Sequence, residues 1–162
     1  MEVYNHRNDW YYEGEISRIL IEYFSKQEYE ILKDNSANIS SKGEDIIVSF
    51  NGMKEIIEVK GYPTTFYTLG PKKGQPKPTK PTLQAKHWFS EALLSTIFNY
   101  QKHKNGSNFS IALAFPKFDR YLNLISKVED FFTDNDIDIK VYLISKEGNI
   151  EITNLNRNKR DL

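Results

Sequence analysis

Cysteine is absent from this chain, which excludes disulfide staples and thiolate zinc sites together. An excess of charge is missing too, since 22 Lys and Arg balance 22 Asp and Glu. No molecule-wide positive field draws a polyanion, so any such attraction must come from local clustering. Long apolar runs are also lacking: nothing approaches the roughly 18 residues that span a bilayer. Met1 to Asn8 is polar with no apolar stretch after it, so no secretory leader is expected and a cytoplasmic location is the default. What is present is ordinary for a globular chain. Over 162 residues, 39% are hydrophobic and 27% charged, enough for one domain spanning residues 1–162 and too apolar for a disordered segment. Aromatic residues reach 14%, and most are expected in the core.

Periodicity orders the elements. From residue 11 to about 26, Ile16, Ile19, Leu20, Tyr23 and Phe24 recur at helical spacing and predict an amphipathic helix. Residues 29–33 read as a short strand and 34–43 as a polar loop. Strands are expected over 45–50 and 53–60, joined by Asn51-Gly52, the dipeptide suited to a tight hairpin turn with φ > 0 at both central positions. The proline- and glycine-rich stretch 61–81 reads as a loop. A second helix is predicted over 82–104, a strand covered on both faces over 109–115, and a third helix over 121–132. Strands over 137–144 and 150–152 follow, then a polar tail, 156–162, expected to fray. The resulting order, α-β-β-β-α-β and then α-β-β, predicts an α/β fold with helices flanking a mixed sheet in three layers. The core would cover about 11–115, with a C-terminal α-β-β extension over about 117–155.

The hairpin register carries the chemistry. With Asn51-Gly52 as the loop, Phe50 faces Met53 and Asp45 faces Glu58, in a pair whose Cα atoms lie about 4.5 Å apart. Lys60, two residues beyond Glu58, shares its face. Two carboxylates at that spacing repel by roughly 4 kcal/mol at an effective dielectric near 20. Lys60 offsets part of this, and a hard divalent cation with oxygen ligands offsets it better. A bare Glu-x-Lys is usually a surface ion pair. The register with Asp45 and the order of elements favour a metal site over that reading.

The segment Gly43-Glu-Asp45-Ile-Ile, with Ile57-Glu58-Val-Lys60-Gly61 following, resembles the PD-(D/E)xK nuclease superfamily. The resemblance covers about residues 11–115, and the element order resembles the αβββαβ core of that superfamily's restriction-endonuclease-like fold. It implies a metal-dependent nuclease acting on nucleic acid, with DNA the substrate that the resemblance leads one to expect. Asp45 and Glu58 would bind Mg2+ (or Mn2+), and Lys60 would orient or help deprotonate the attacking water and stabilise the charge that builds. Glu44 stands where a proline often precedes the Asp. Many members add an acid from the first helix. Glu13 lies inside the apolar stripe between Leu20 and Phe24 and is the first candidate, with Glu15 at the border the second. Gln84-Ala-Lys-His-Trp88 resembles the Gln-x-x-x-Tyr motif of RecB-like nucleases, with Gln84 placed to hydrogen-bond near the site and Trp88 to pack.

Lys72, Lys73, Lys77 and Lys80 in the loop after Lys60 are candidate phosphate contacts, as are Lys86 and His87. Tyr62, Phe66 and Tyr67 are candidates for stacking on unpaired bases, although core packing is the commoner fate. His6, His87 and His103 lack zinc spacing and are expected to be incidental. The alternative to an enzyme is a non-catalytic nucleic-acid-binding module on the same fold, and the plainest alternative is a structural α/β domain with an unremarkable ion pair. Dimerisation is common in the superfamily, so a homodimer is compatible with the resemblance, although no interface is identifiable.

Overall fold

The computed structural model describes residues 4–38, 42–106 and 108–161. Within them three helices and six strands follow the predicted order: α1 (Glu13–Lys26), β1 (Glu30–Asp34), β2 (Ile46–Phe50), β3 (Met53–Val59), α2 (Pro81–His103), β4 (Phe109–Pro116), α3 (Asp119–Asp134), β5 (Lys140–Ile144) and β6 (Ile150–Asn154). The strands form one mixed sheet in sequence order, with β3, β4 and β5 parallel and the other neighbours antiparallel. Positions 39–41 of the polar loop lie outside the described residues. So does Leu162. Among the described residues no helix is long and apolar enough to cross a membrane.

Each helix covers the face its apolar stripe dictates. Ile16, Leu20 and Phe24 of α1 pack on Ile46, Val48, Ile57, Val59 and Tyr142. Ala112 and Ala114 under this helix are small, which lets it lie close to the sheet. On the opposite face, Ala85, Phe89 and Ala92 of α2 and Tyr121, Leu124 and Ile125 of α3 cover Ile111, Leu113, Phe115, Val141 and Leu143. β4 is therefore buried on both sides, as its run of large and small apolar residues predicts.

The hairpin forms as its turn chemistry requires. Asn51 and Gly52 take φ of 49° and 79°, and Ile46 pairs with Ile57 while Phe50 pairs with Met53. Two expectations fail. The strand expected from Ile137 begins only at Lys140, because Ile137 and Ile139 feed the core as an irregular lead-in. The described part of the tail does not fray: Leu155 and Asn156 are fully buried, the Asn156 amide donates to Asp136 at 3.1 Å, and Arg157 and Arg160 pair with Glu129 of α3. Polar residues here find partners on the neighbouring helix, so their composition does not mark freedom.

Candidate active site

The carboxyl ends of β3, β4 and β5 lie at one edge of the sheet, where parallel α/β sheets ordinarily open their ligand crevices. Lys60 leaves β3 at this edge, its N–H bonded to Ala114 O at 3.0 Å. Asp45 immediately precedes β2 here, next to the pair Ile46 with Ile57, and Glu58 is the following residue of β3. Asp45 and Glu58 are 9% and 6% exposed, which makes both of them buried carboxylates. One Asp45 oxygen accepts the Val59 N–H at 2.8 Å, locking its side chain against β3. Lys60 Nζ sits 3.7 Å from Glu58 Oε1.

Two further acids complete the cluster. Glu13, in the first turn of α1, interacts with Lys60 and Asp45, whereas Glu15 turns away to Arg18 at 2.7 Å. Of the two helix acids, only Glu13 reaches the site. Gly61 makes this approach feasible: a Cβ there would lie 2.6 Å from Tyr11 O and 2.8 Å from Glu13 N. The Gly61 carbonyl is held by the Tyr121 hydroxyl at 2.7 Å, and Tyr62 N–H bonds Tyr11 O at 3.0 Å. The second acid, Glu91 of α2, is 3.6 Å from Lys60 Nζ and was not anticipated from sequence. It lies seven residues after Gln84, close to two helical turns, so its spacing from Gln84 was the available signal.

Four carboxyl groups thus surround one ammonium. Burial, reinforced by Asp45, pushes Glu58 up to about 8, and burial pushes Glu13 up to about 7. Asp45 is raised by burial as well. Burial opposes the charge on Lys60, but Glu13, Glu58, Glu91 and Asp45 outweigh it and hold the ammonium above its ordinary pKa. A cationic Lys60 suits orientation and charge stabilisation rather than proton abstraction. The surplus of negative charge and the all-oxygen donor set fit a hard cation. Among the described residues no group of three or more His, Cys, Asp or Glu converges to hold a metal. A cation here would rest on Asp45 and Glu58, with water and phosphate oxygens as the remaining ligands, a combination Mg2+ accepts.

The other expected residues separate by location. Gln84 accepts from Lys77 Nζ at 3.4 Å and donates to Thr79 O at 3.3 Å, and among the described residues it makes no hydrogen bond to the acids. Trp88 lines a groove beside Glu13 instead of joining the core. Lys73 and Lys77 line the same groove. Lys72 lies 5.7 Å over the Tyr67 ring, and Lys80 is exposed just ahead of α2. Lys86 is not brought to the site: it borders a depression between α2 and α3, because two residues along a helix from Gln84 is the far side. Tyr62 is buried and stacked on Phe118 at 3.9 Å, so it packs the core and is closed to a base, while Phe66 stays exposed.

Glu44 and His103 prove to be engaged. The Glu44 carboxylate, 4% exposed, takes Lys102 at 2.5 Å, His103 at 2.8 Å and Lys33 at 3.4 Å. Burial works against its charge, yet Lys102 and His103 hold it far below the usual carboxylate range. This clamp ties the residue before Asp45 to the end of α2. His6 likewise bonds Asp9 at 2.7 Å. Comparison with protein-family models, with curated proteins and with solved structures gave no match.

Proposed function

We propose that the chain is a magnesium-dependent nuclease on a restriction-endonuclease-like fold, hydrolysing phosphodiester bonds of nucleic acid, DNA by the resemblance. The observation that carries this reading is the pair of buried acids, Asp45 and Glu58, at one end of the hairpin, with Lys60 Nζ 3.7 Å from Glu58 and 3.6 Å from Glu91. Asp45 and Glu58 would hold Mg2+, which supplies charge neutralisation at the phosphate and a more acidic bound water. Lys60, kept protonated by its four acids, donates to the phosphoryl oxygen where negative charge accumulates. Glu13, with its carboxyl near neutral pH in its titration, is the group beside Lys60 suited to take up a proton. Gln84 holds Lys77 at the margin of the cluster.

A non-catalytic nucleic-acid-binding module would use the same basic loop, and turnover separates the two readings. Plasmid, linear duplex, single strands and RNA are incubated with the protein, with and without magnesium. Magnesium-dependent cleavage is expected, falling about a hundredfold or more in Asp45→Asn and in Lys60→Ala. Cleavage that persists undiminished in Lys60→Ala, or none by the unaltered chain, overturns the proposal.

A further inference from the structure

Beside Glu13 the surface opens into a groove of about 660 Å3, walled by the segment from Tyr4 to Arg7, by Thr64 and Lys77 of the long loop, and by Trp88 of α2. Its charge is opposite to that of the acidic cluster it adjoins. Arg7, Lys73 and Lys77 face one carboxylate, Glu13, at the boundary between the two. Among the described residues none of these three cations has an ion-pair partner, whereas Lys60 has two.

Lys77 is the most constrained of them. The residue is half-buried, and among the described residues its Nζ hydrogen-bonds to neutral acceptors, Thr64 Oγ1 at 3.1 Å and Gln84 Oε1 at 3.4 Å. Thr64 spends its own proton on Phe66 O at 2.7 Å, leaving a lone pair for the ammonium. Threonine and glutamine aim the ammonium without neutralising it. An aimed, partly desolvated cation lacking a counter-ion is relieved by an incoming anion.

The anion must arrive with something that suits an indole. Trp88 is half-buried on the groove wall, and Tyr12 stands against His6 with ring centroids 5.3 Å apart. A duplex keeps its base faces stacked on one another and offers only phosphates to such a wall. An unpaired strand offers phosphates and open base faces together, which is the combination that single-strand grooves exploit. Resting on the nuclease reading above, the geometry points to single-stranded nucleic acid as the substrate of this site. Lys77 and Arg7 hold a backbone phosphate and Trp88 stacks on an unpaired base.

Binding is measured without turnover, on the full chain carrying Lys60→Ala in the presence of a chelator. Fluorescence anisotropy follows a labelled oligothymidylate, an oligouridylate, and a blunt duplex of matching length. A single strand of either sugar is expected to bind about tenfold tighter than the duplex, and Trp88→Leu to weaken it about fivefold or more. Lys77→Gln and Arg7→Gln should each lower the log–log salt slope by about 0.7. Lys54→Gln, at the opposite end of β3, should change nothing. Duplex binding as tight as single-strand binding overturns the inference. So does a salt slope unaltered in both Lys77→Gln and Arg7→Gln, which are surface changes that leave the core intact. Single-strand binding with these sensitivities in a protein without metal-dependent turnover upholds the strand assignment and removes the nuclease. Metal-dependent duplex cleavage at unaltered rates in Lys77→Gln does the reverse.

Discussion

At Glu58 the cost of ionisation decides more than any single contact. Its carboxyl is buried, and burial reinforced by Asp45 pushes it up to about 8, which favours the protonated form near neutral pH in the metal-free protein. A metal bound by Glu58 would have to displace that proton. The stabilisation given by magnesium should therefore grow as pH rises from about 6 to 9, and thermal shift at a series of pH values measures it. A flat response would mean that Glu58 does not ligate. Glu58→Gln separates function from stability: cleavage should fall about a hundredfold or more. The metal-free melting temperature at pH 8 should meanwhile rise, because burial disfavours ionisation of Glu58 and the amide carries no charge to desolvate. A structural ion pair predicts the opposite sign for the melting temperature.

The elements owe their mutual placement to a few tight approaches. Gly61 is one. Gly61→Ala puts a methyl group against Tyr11 O and Glu13 N, so α1 must withdraw from the end of β3. Loss of turnover with retained helix content is expected, read by cleavage rate and circular dichroism. An active Gly61→Ala would show that the position of Glu13 is immaterial. The Glu44 clamp is another, and Glu44→Ala should cost about 1–3 kcal/mol in a denaturant titration, since Lys33, Lys102 and His103 lose the acceptor they share. The hairpin and its acids were legible in sequence because Asn51-Gly52 and two-residue alternation are local codes. Glu91 was hidden: its seven-residue spacing from Gln84 marks a helix face, but only the seating of α2 on the sheet decides what that face meets. Gly61 was hidden for the same reason, its crowded neighbours being Tyr11 and Glu13, far away along the chain. The tail misled because Asn156 and Arg160 look solvated by composition, and their partners, Asp136 and Glu129, belong to α3 and the turn that follows it.

For the molecule as a whole, the raised acids set the direction of pH dependence. Glu13 and Glu58 titrate higher in the folded chain than in the unfolded one, so the folded state binds more protons between about 4.5 and 8. Metal-free stability should accordingly decline as pH rises through that window, and chemical denaturation at pH 5.5 and 8 tests the sign. Glu44 acts oppositely and only in acid, its contribution being lost as pH falls below the ordinary carboxylate range. The parallel pairing of β3 with β4 has a temporal consequence. Lys60 is tied through its backbone to Ala114, and Glu91 arrives on the helix between them. While the polypeptide is being synthesised, Asp45 and Glu58 leave the ribosome long before the partners that fix Lys60. A chain stalled before β4 would carry its two acids with no fixed ammonium, so the cluster comes together only after β4 has emerged.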